Sequence, residues 1–303
     1  MSQVPGLRPE PQTGPDLFGS HEIAFECLAD TDRTAKLIEA VTDSVRPGHR
    51  VLELGTGTGI LSLAAARAGA SAVDAYELSP ATAALARRNI AANGCSTVVQ
   101  VLEEDVTSCT FSGPYDVVIA ELISVGLVEE LLVPAFNNLV AQGVLAPDVR
   151  VIPSSQSTFV ELVEADYEFF GFELPMIQIE QTWQDRRVRD TRTELRLVSH
   201  PDFTLSARDG IAVEERVLAV IDLAVRHSGR TNALRMTSMS HLAPGIDSGW
   251  TQCMNSPALV PIPPRDLVVG STVGLDLSYR MGAGFSSMRF QWGDEDPADI
   301  YLP

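Results

Sequence analysis

Basic residues are scarce in this chain of 303 residues. Only 22 Lys and Arg stand against 40 Asp and Glu, which gives a formal net charge of −18. Proteins that bind a phosphate backbone cluster Lys and Arg on one face, so the composition argues against a nucleic-acid partner. A negative surface is compatible with a cationic substrate, although solubility alone also accounts for it.

Long apolar runs and paired cysteines are absent as well. No run reaches the length that spans a bilayer, which argues against a membrane partner. The first residues, MSQVPGLRPEPQTGPD, place prolines and polar residues where a secretory signal needs apolar ones, and they predict a disordered leader over residues 1–16. The four cysteines are far apart and form no Cys-x-x-Cys pair, so we expect a cytoplasmic protein without a metal site.

What is present, in the first half, is an alternation of strand-like and helix-like segments. The strand-like segments are HRVLELG, SAVDAYE, STVVQVLEED, YDVVIAE and the end of GVLAPDVRVIP. This alternation predicts an α/β fold over residues 17–152, a doubly wound Rossmann-like sheet with helices on both faces. One of the predicted helices is VEELLVPAFNNLV, with Pro134 near its start.

The pattern changes after Pro153. Short apolar or alternating pieces such as STFVELVEA, VLAVIDLAV and GSTVGLDLSYRMG are separated by turn residues. Such pieces predict antiparallel strands. We therefore expect a β-barrel-like antiparallel domain for substrate binding and dimerisation over residues 153–303.

A glycine loop and several acids follow the predicted strands. ELGTGTG places Gly55 and Gly57 where a ligand can approach the backbone closely. Glu77 ends the next strand, where a carboxylate can bridge the two ribose hydroxyls of an adenosine. Asp105 follows the third strand and can accept a hydrogen bond from an adenine amine, and Glu104 is an equal candidate.

The glycine spacing bears on the identity of the cofactor. Dinucleotide loops usually read Gly-x-Gly-x-x-Gly, whereas this loop reads Gly-x-Gly-x-Gly and is preceded by Glu53. It resembles the S-adenosylmethionine loop of class I methyltransferases. That resemblance implies S-adenosylmethionine as the cofactor, with Glu53 orienting its methionine part. NAD binding and a non-catalytic Rossmann fold are the alternatives.

Two acids frame the segment ELISVGLVEE, which follows the fourth predicted strand. Glu121 and Glu130 are nine positions apart, and Glu129 is a bystander or, after a one-residue shift, an alternative to Glu130. By themselves they are compatible with a solvated loop and a helix start, since acids at a helix start complement its dipole. The spacing and placement resemble the paired glutamates of the protein arginine methyltransferase family.

Further residues carry the resemblance and its implications. FECLADTDRT is similar to the family's helix over the cofactor, which implies that Arg33 pairs with the methionine carboxylate and that Asp30 faces the active site. SGWTQC is similar to the family's Thr-His-Trp loop, which implies a substrate-binding role for Trp250. Gly249 stands where the family has its histidine, so the chain resembles a divergent, bacterial-type member.

The resemblance implies a catalytic role for Glu121 and Glu130. Two carboxylates can hold a guanidinium in charge-assisted hydrogen bonds and fix one nitrogen in line with the sulfonium methyl. The acceptor is then arginine, either in a protein or peptide or as a small molecule. Because the departures from the family concentrate around the acceptor pocket, we favour free arginine or a guanidino metabolite of bacterial specialised metabolism.

Two other functions remain as alternatives, and one partner is expected. The first alternative is a methyltransferase that acts on a lysine or an oxygen. The second is an inactive cofactor-binding partner subunit, and the missing histidine favours this second alternative. Family members usually dimerise through an arm inserted in the second half. FELPMIQIEQTWQDRRVRDT is a candidate arm for a homodimer, with Trp183 as its anchor.

Overall fold

The structure is a computed structural model that describes residues 21–180, 187–251, 253 and 255–294. The predicted leader over residues 1–16 and Trp183 of the candidate arm lie outside the described residues. Within the described ranges, no helix combines the length and the apolar character needed to cross a bilayer.

The first half is a five-stranded parallel sheet with helices, which confirms the predicted Rossmann-like α/β fold. Its strands are β1 (Arg50–Leu54), β2 (Ala72–Tyr76), β3 (Val99–Leu102), β4 (Tyr115–Ala120) and β5 (Leu145–Ile152). Its helices are α1 (His21–Ala29), α2 (Thr31–Ser44), α3 (Ile60–Arg67), α4 (Pro80–Ala92) and α5 (Leu132–Ala141).

The strand order β3-β2-β1-β4-β5 places the reversal of the sheet between β1 and β4. Ligands of open α/β sheets bind at such a reversal, outside the C-terminal ends of the strands. Leu54 of β1 is in register with Tyr76 of β2 and with Ala120 of β4. The residues that follow these three strands, Gly55, Glu77 and Glu121, are therefore neighbours at one edge of the sheet.

Helix α5 begins at Leu132, four positions later than the predicted helix over VEELLVPAFNNLV. A proline has no amide hydrogen for the carbonyl four residues earlier, and its ring clashes with that carbonyl. For Pro134 this carbonyl belongs to Glu130. The proline is tolerated in the first turn of α5, and Glu129 and Glu130 are left in the preceding bend.

The second half consists of antiparallel strands and one helix. The strands are β6 (Ser155–Ala165), β7 (Glu168–Phe169), β8 (Phe172–Glu173), β9 (Gln178–Ile179), β10 (Val188–Thr191), β11 (Arg196–Ser199), β12 (Arg216–Ala224), β13 (Gly229–Ala243), β14 (Ile246–Ser248), β15 (Ala258–Leu267), β16 (Thr272–Arg280) and β17 (Arg289–Trp292). The helix is α6 (Phe203–Asp209), and two short 3₁₀ helices elsewhere cover Val125–Leu127 and Phe285–Ser287.

These strands form a seven-stranded sheet, a three-stranded sheet of β12, β16 and β17, and the hairpin β7–β8. The pairings confirm the predicted antiparallel half but do not confirm its closure into a barrel. The parallel sheet ends at Ile152 and the antiparallel strands start at Ser155. The division of the chain into domains at residues 152 and 153 stays our prediction.

The segment between Glu121 and Glu130 packs between the two halves. Its buried residues Leu127 and Val128 belong to one hydrophobic cluster with Val160 of β6 and Met236 of β13. Strands β6 and β13 pair along most of their length, so they present a continuous surface to this segment. Apolar burial on both sides thus holds the segment at the C-terminal edge of the parallel sheet.

Candidate active site

The glycine loop after β1 is bonded to the end of β2. The amides of Gly55 and Thr56 donate to the Tyr76 carbonyl at 3.0 and 2.8 Å. The buried Glu53 carboxylate accepts from the Thr56 hydroxyl at 2.7 Å and from the Ser62 hydroxyl. Burial raises the pKa of Glu53 to about 7, although these two hydrogen bonds lower it. Glu53 therefore fixes the loop, and its contact with the methionine part of a cofactor stays a prediction.

Gly55 is the tightest point of this loop. Its backbone has a φ of +75°, and a Cβ atom there would lie 2.6 Å from Cδ2 of Leu122. Leu122 follows Glu121 on the neighbouring strand end, and its side chain also lines the cavity described below. No sequence motif indicates Leu122, because its contact with Gly55 arises only when β1 and β4 pair.

We expect Gly55→Ala to weaken S-adenosylmethionine binding about tenfold or more. The added methyl group pushes Leu122 toward the cavity, and the left-handed backbone strains an L-residue by about 1 kcal/mol. Isothermal titration measures the affinity. Gly48→Ala is the control, because Gly48 has a φ of +91° with open space around its Cβ position. Equal affinities for the two variants would contradict the close-approach argument.

Glu77 lies at the end of β2 with both carboxylate oxygens oriented by backbone amides. It accepts from the Gly57 amide at 3.0 Å and from the Ser79 amide at 3.0 Å. Burial raises its pKa, and the hydrogen bonds from the two amides oppose that rise. The carboxylate is therefore pre-positioned beside the glycine loop, as the predicted ribose contact requires.

Glu104 and Asp105 follow β3 and both line the cavity from the next strand over. One oxygen of Asp105 accepts from the amide and the hydroxyl of Thr107, at 2.8 and 2.7 Å. This local turn fixes the Asp105 carboxylate. Both acids stay candidates for the predicted adenine contact.

Arg33 is buried on α2 and forms an ion pair with Glu121, the first acid of the double-acid segment. Burial is the largest single influence on the pKa of Arg33 and lowers it, but the charge of Glu121, the nearby Cys27 and the hydrogen bond to Glu121 together raise the pKa above its usual value. Nη1 of Arg33 also donates to the Cys27 carbonyl at 3.4 Å. Arg33 lines the same cavity as the glycine loop, and its pairing with a methionine carboxylate stays a prediction.

Glu130 and Glu129 differ in their surroundings. Glu130 is buried, whereas the side chain of Glu129 is exposed. Burial, and then the charge of Glu121, raise the pKa of Glu130 to about 8, although Arg33 lowers it. Glu129 also lines the cavity, and partial removal from water there raises its pKa, but no neighbouring charge contributes to that rise. The geometry therefore supports Glu130 as the second acid, and the assignment itself stays a prediction.

Asp30 is the N-cap of α2 and also holds the segment that carries Trp250. One carboxylate oxygen accepts from the Arg33 amide at 3.4 Å, and the other accepts from the Cys253 amide at 3.2 Å. The sulfur atoms of Cys27 and Cys253 lie 2.9 Å apart beside this contact. Their hydrogen bond, together with burial, raises the pKa of the Cys27 thiol. Two side-chain contacts thus fasten helices α1 and α2 to this segment.

One cavity of about 550 Å³ unites most of the predicted site. That volume is typical of small-molecule and cofactor sites, which measure about 300–1,000 Å³. Nine of the eleven predicted residues line it: Arg33, Glu53, Gly55, Gly57, Glu77, Glu104, Asp105, Glu121 and Glu130. Asp30 and Trp250 are not among the lining residues, and Trp250 is 51% exposed. Their substrate contacts stay predictions.

Comparison with known proteins agrees with this arrangement. Residues 19–188 match the family model of ribosomal protein L11 methyltransferase (PrmA). An arginine N(omega)-methyltransferase of Streptomyces achromogenes subsp. streptozoticus is 30% identical over 287 residues, which cover 89% of this chain and 76% of the relative. The chain belongs to the arginine N-methyltransferase family of class I methyltransferases. An uncharacterized protein of Methanocaldococcus jannaschii is 28% identical over 89% of this chain and 96% of its own length.

A solved structure shares the two-part fold of this methyltransferase. The PRMT1 enzyme–prozyme heterotetrameric complex of Trypanosoma brucei, solved with AdoHcy, has a TM-score of 0.72 at 17% identity, covering 94% of this chain and 97% of that chain. S-adenosylmethionine is the cofactor of the methyltransferase. Three features of the cavity suit this cofactor. The tight backbone at Gly55 suits its close approach to the loop. The Glu77 carboxylate suits its ribose, and the buried guanidinium of Arg33 suits its carboxylate.

Proposed function

We propose that this methyltransferase transfers a methyl group to a guanidine nitrogen of arginine, and that its acceptor is free arginine or another small guanidino compound. The observation that carries the proposal is the pair of carboxylates in the cofactor cavity. Glu121 is engaged there with one guanidinium, that of Arg33, and Glu130 is buried in the same cavity. Two such carboxylates suit the forked donors of a second guanidinium.

The mechanism divides the work among the residues of the cavity. S-adenosylmethionine supplies the methyl group on a sulfonium sulfur. Arg33, Gly55 and Glu77 hold the cofactor, while Glu121 and Glu130 orient the acceptor guanidinium. The methylated product must lose a proton, and Glu130 is suited to accept it because its pKa is raised to about 8.

Two observations support a small acceptor over an arginine in a protein. The Streptomyces relative is named an arginine N(omega)-methyltransferase and matches 89% of this chain. Gly249 occupies the place of the family's histidine in the segment held by Asp30 and Asn255, whose amide donates to the Gly249 carbonyl at 3.1 Å. This replacement lies in the predicted acceptor side of the site, whereas the predicted cofactor residues line the cavity.

The experiment offers three acceptors to the purified protein with methyl-labelled S-adenosylmethionine. They are free arginine, an arginine-containing peptide and free lysine. We expect the label in free arginine. Label in the peptide alone contradicts the small acceptor, and label in lysine alone contradicts the guanidine. Cofactor binding by titration with no labelled product at all would instead support an inactive partner subunit.

The activity should rise with pH. Because the charged form of Glu130 is disfavoured, most of the free enzyme carries this carboxyl protonated at pH 7. The carboxylate form grows as the pH passes through about 8. We therefore expect kcat/KM for the guanidine acceptor to increase up to that pH and then level off. Initial rates from pH 6 to 9.5 measure the profile, and a profile flat through pH 8 contradicts Glu130 as the proton acceptor.

We also propose that the protein is a cytoplasmic homodimer. The hairpin β7–β8 leads into the candidate arm, which begins with β8 at Phe172, and it presents Phe170 and Phe172, which are 98% and 68% exposed. Exposed aromatic side chains at such density are typical of protein interfaces.

The four free cysteines suit a reducing compartment. A single-chain mass in analytical ultracentrifugation contradicts the dimer, and a membrane or secreted fraction in cell fractionation contradicts the location.

A further inference from the structure

The segment that joins the two acids is irregular. It contains only the short 3₁₀ helix Val125–Leu127, and Gly126 and Leu127 have φ values of +64° and +56°. A left-handed backbone is uncommon for leucine, so the surroundings must hold it. The position of Glu130 relative to Glu121 therefore depends on side-chain contacts rather than on regular secondary structure.

Ser124 is bonded directly to the backbone of Glu130. Its side chain is 1% exposed, and its hydroxyl oxygen accepts from the amides of Glu129 and Glu130 at 3.2 and 3.1 Å. Both hydrogen bonds close the segment on itself, since Ser124 lies five and six residues before the two amides. The two hydrogen bonds thereby fix the backbone of Glu130, which is the point from which its side chain reaches the cavity.

Ser124 is itself held by the antiparallel sheet. The fully buried Gln156 of β6 donates through Nε2 to the Ser124 carbonyl at 3.0 Å, and its Oε1 accepts from the Ser240 hydroxyl of β13 at 3.1 Å. Two residues along, the Gly126 amide donates to the Ser238 hydroxyl at 2.8 Å. Buried polar contacts of this kind specify one arrangement, because each unpaired group costs free energy.

We propose that Ser124 is a positioning residue of the acceptor site, with Gln156 as its support from β6. It acts through Glu130, to which its hydroxyl is bonded by way of the backbone, and it touches no substrate. This inference rests on the proposed function, because it gives Glu130 the task of holding the guanidinium. An alanine or a glycine at this position would offer no side-chain acceptor to the two amides, of which that of Glu130 is buried.

The test is a comparison of Ser124→Ala with the wild type on free arginine. We expect kcat/KM to fall about 10- to 100-fold, as small misplacements of a catalytic group do. The Kd for S-adenosylhomocysteine should stay within about threefold, since the residues that hold the cofactor are unchanged. The pH profile of kcat/KM should also shift, because the surroundings of Glu130 change with its position.

Matched variants separate positioning from folding. Ser124→Thr keeps the hydroxyl and should recover activity relative to Ser124→Ala. Gln156→Met removes the support while nearly conserving volume, and should lower kcat/KM in the same direction. Ser157→Ala is the control. Ser157 is a buried serine like Ser124 and lies on β6 like Gln156, but its hydroxyl contacts His200 and His241 at 2.8 and 3.0 Å.

The outcomes distinguish this inference from the proposed function. A wild type that methylates no guanidine overturns both. A wild type active on arginine, with Ser124→Ala and Gln156→Met equal to it in kcat/KM and in pH profile, overturns the role of Ser124 alone. If Ser124→Ala does not fold, Gln156→Met decides by the same two readouts. Reduced activity with unchanged cofactor affinity, a shifted profile and an unaffected Ser157→Ala supports the inference.

Discussion

Glu130→Gln should lower kcat for methylation of the guanidine acceptor by about 10³-fold or more, while S-adenosylhomocysteine binds as in the wild type. The amide keeps the shape of the side chain but loses its negative charge, so its hydrogen bonds to the guanidinium are no longer charge-assisted on both sides. It also cannot take up the proton that the product must lose. Single-turnover rates with excess enzyme measure the loss, and isothermal titration measures cofactor affinity.

Glu129→Gln is the matched control for this substitution. The two residues are neighbours that both line the cavity, but Glu129 is exposed and Glu130 is buried. We expect Glu129→Gln to change kcat by less than about threefold, as surface substitutions usually have small effects. Near-normal turnover in Glu130→Gln, or an equal loss in both variants, contradicts the proposal that Glu121 and Glu130 hold the guanidinium together.

Glu121→Gln should lower kcat as much as Glu130→Gln does, but its effect on the two-carboxylate clamp is harder to isolate. In the structure Glu121 also neutralises the buried Arg33. Its replacement therefore disturbs the cofactor side and the acceptor side of the cavity together. Glu130 is the better test because it forms no ion pair among the described residues, so its replacement removes no such contact. Arg33 and the neighbouring acids act on it only through their charges.

Arg33→Gln should weaken S-adenosylmethionine binding by about 100-fold or more. The predicted partner of Arg33 is the methionine carboxylate, and a neutral amide cannot form that charged pair. The substitution also leaves the Glu121 carboxylate buried without its partner. Breaking one side of a buried ion pair typically costs about 3–5 kcal/mol of folding free energy, so a lower melting temperature should accompany the loss of binding.

A double variant separates these two effects. Arg33→Gln combined with Glu121→Gln removes both charges, and it should recover most of the melting temperature but not the cofactor affinity. Lys36→Gln is the control on the same helix, because Lys36 pairs on the surface with Asp32 at 3.1 Å. Wild-type cofactor affinity in Arg33→Gln, at a temperature where the variant is folded, contradicts the binding role of Arg33.

The cofactor side of the site was predictable because it depends on local patterns. A glycine loop must follow the first strand of a doubly wound sheet, and parallel strands bring their C-terminal ends to one edge. Gly55, Gly57 and Glu77 therefore meet in space although Glu77 lies a full helix further along the chain. The same reasoning placed Glu104 and Asp105 at the cavity but did not rank them.

The acceptor side was less predictable because it depends on contacts across the fold. The resemblance implies substrate contacts for Asp30 and Trp250, and these stay predictions. The structure shows that Asp30 caps α2 and that Trp250 is half exposed. Nothing in ELISVGLVEE indicates that Ser124 bonds two amides further along, or that Gln156 supports it from the other half of the chain. Such contacts need β6, β13 and the segment after β4 to be packed together.

By itself, the sequence determined the parallel sheet, the antiparallel second half and the edge at which ligands bind, because periodicity and turn residues act over a few positions. Only the tertiary structure distinguishes the surroundings of Glu129 from those of Glu130. Pro134 keeps both acids out of α5, and burial between the two halves then encloses one of them and leaves the other in water. The ion pair of Arg33 with Glu121 also depends on the tertiary structure, because residues so distant in sequence meet only when the chain folds.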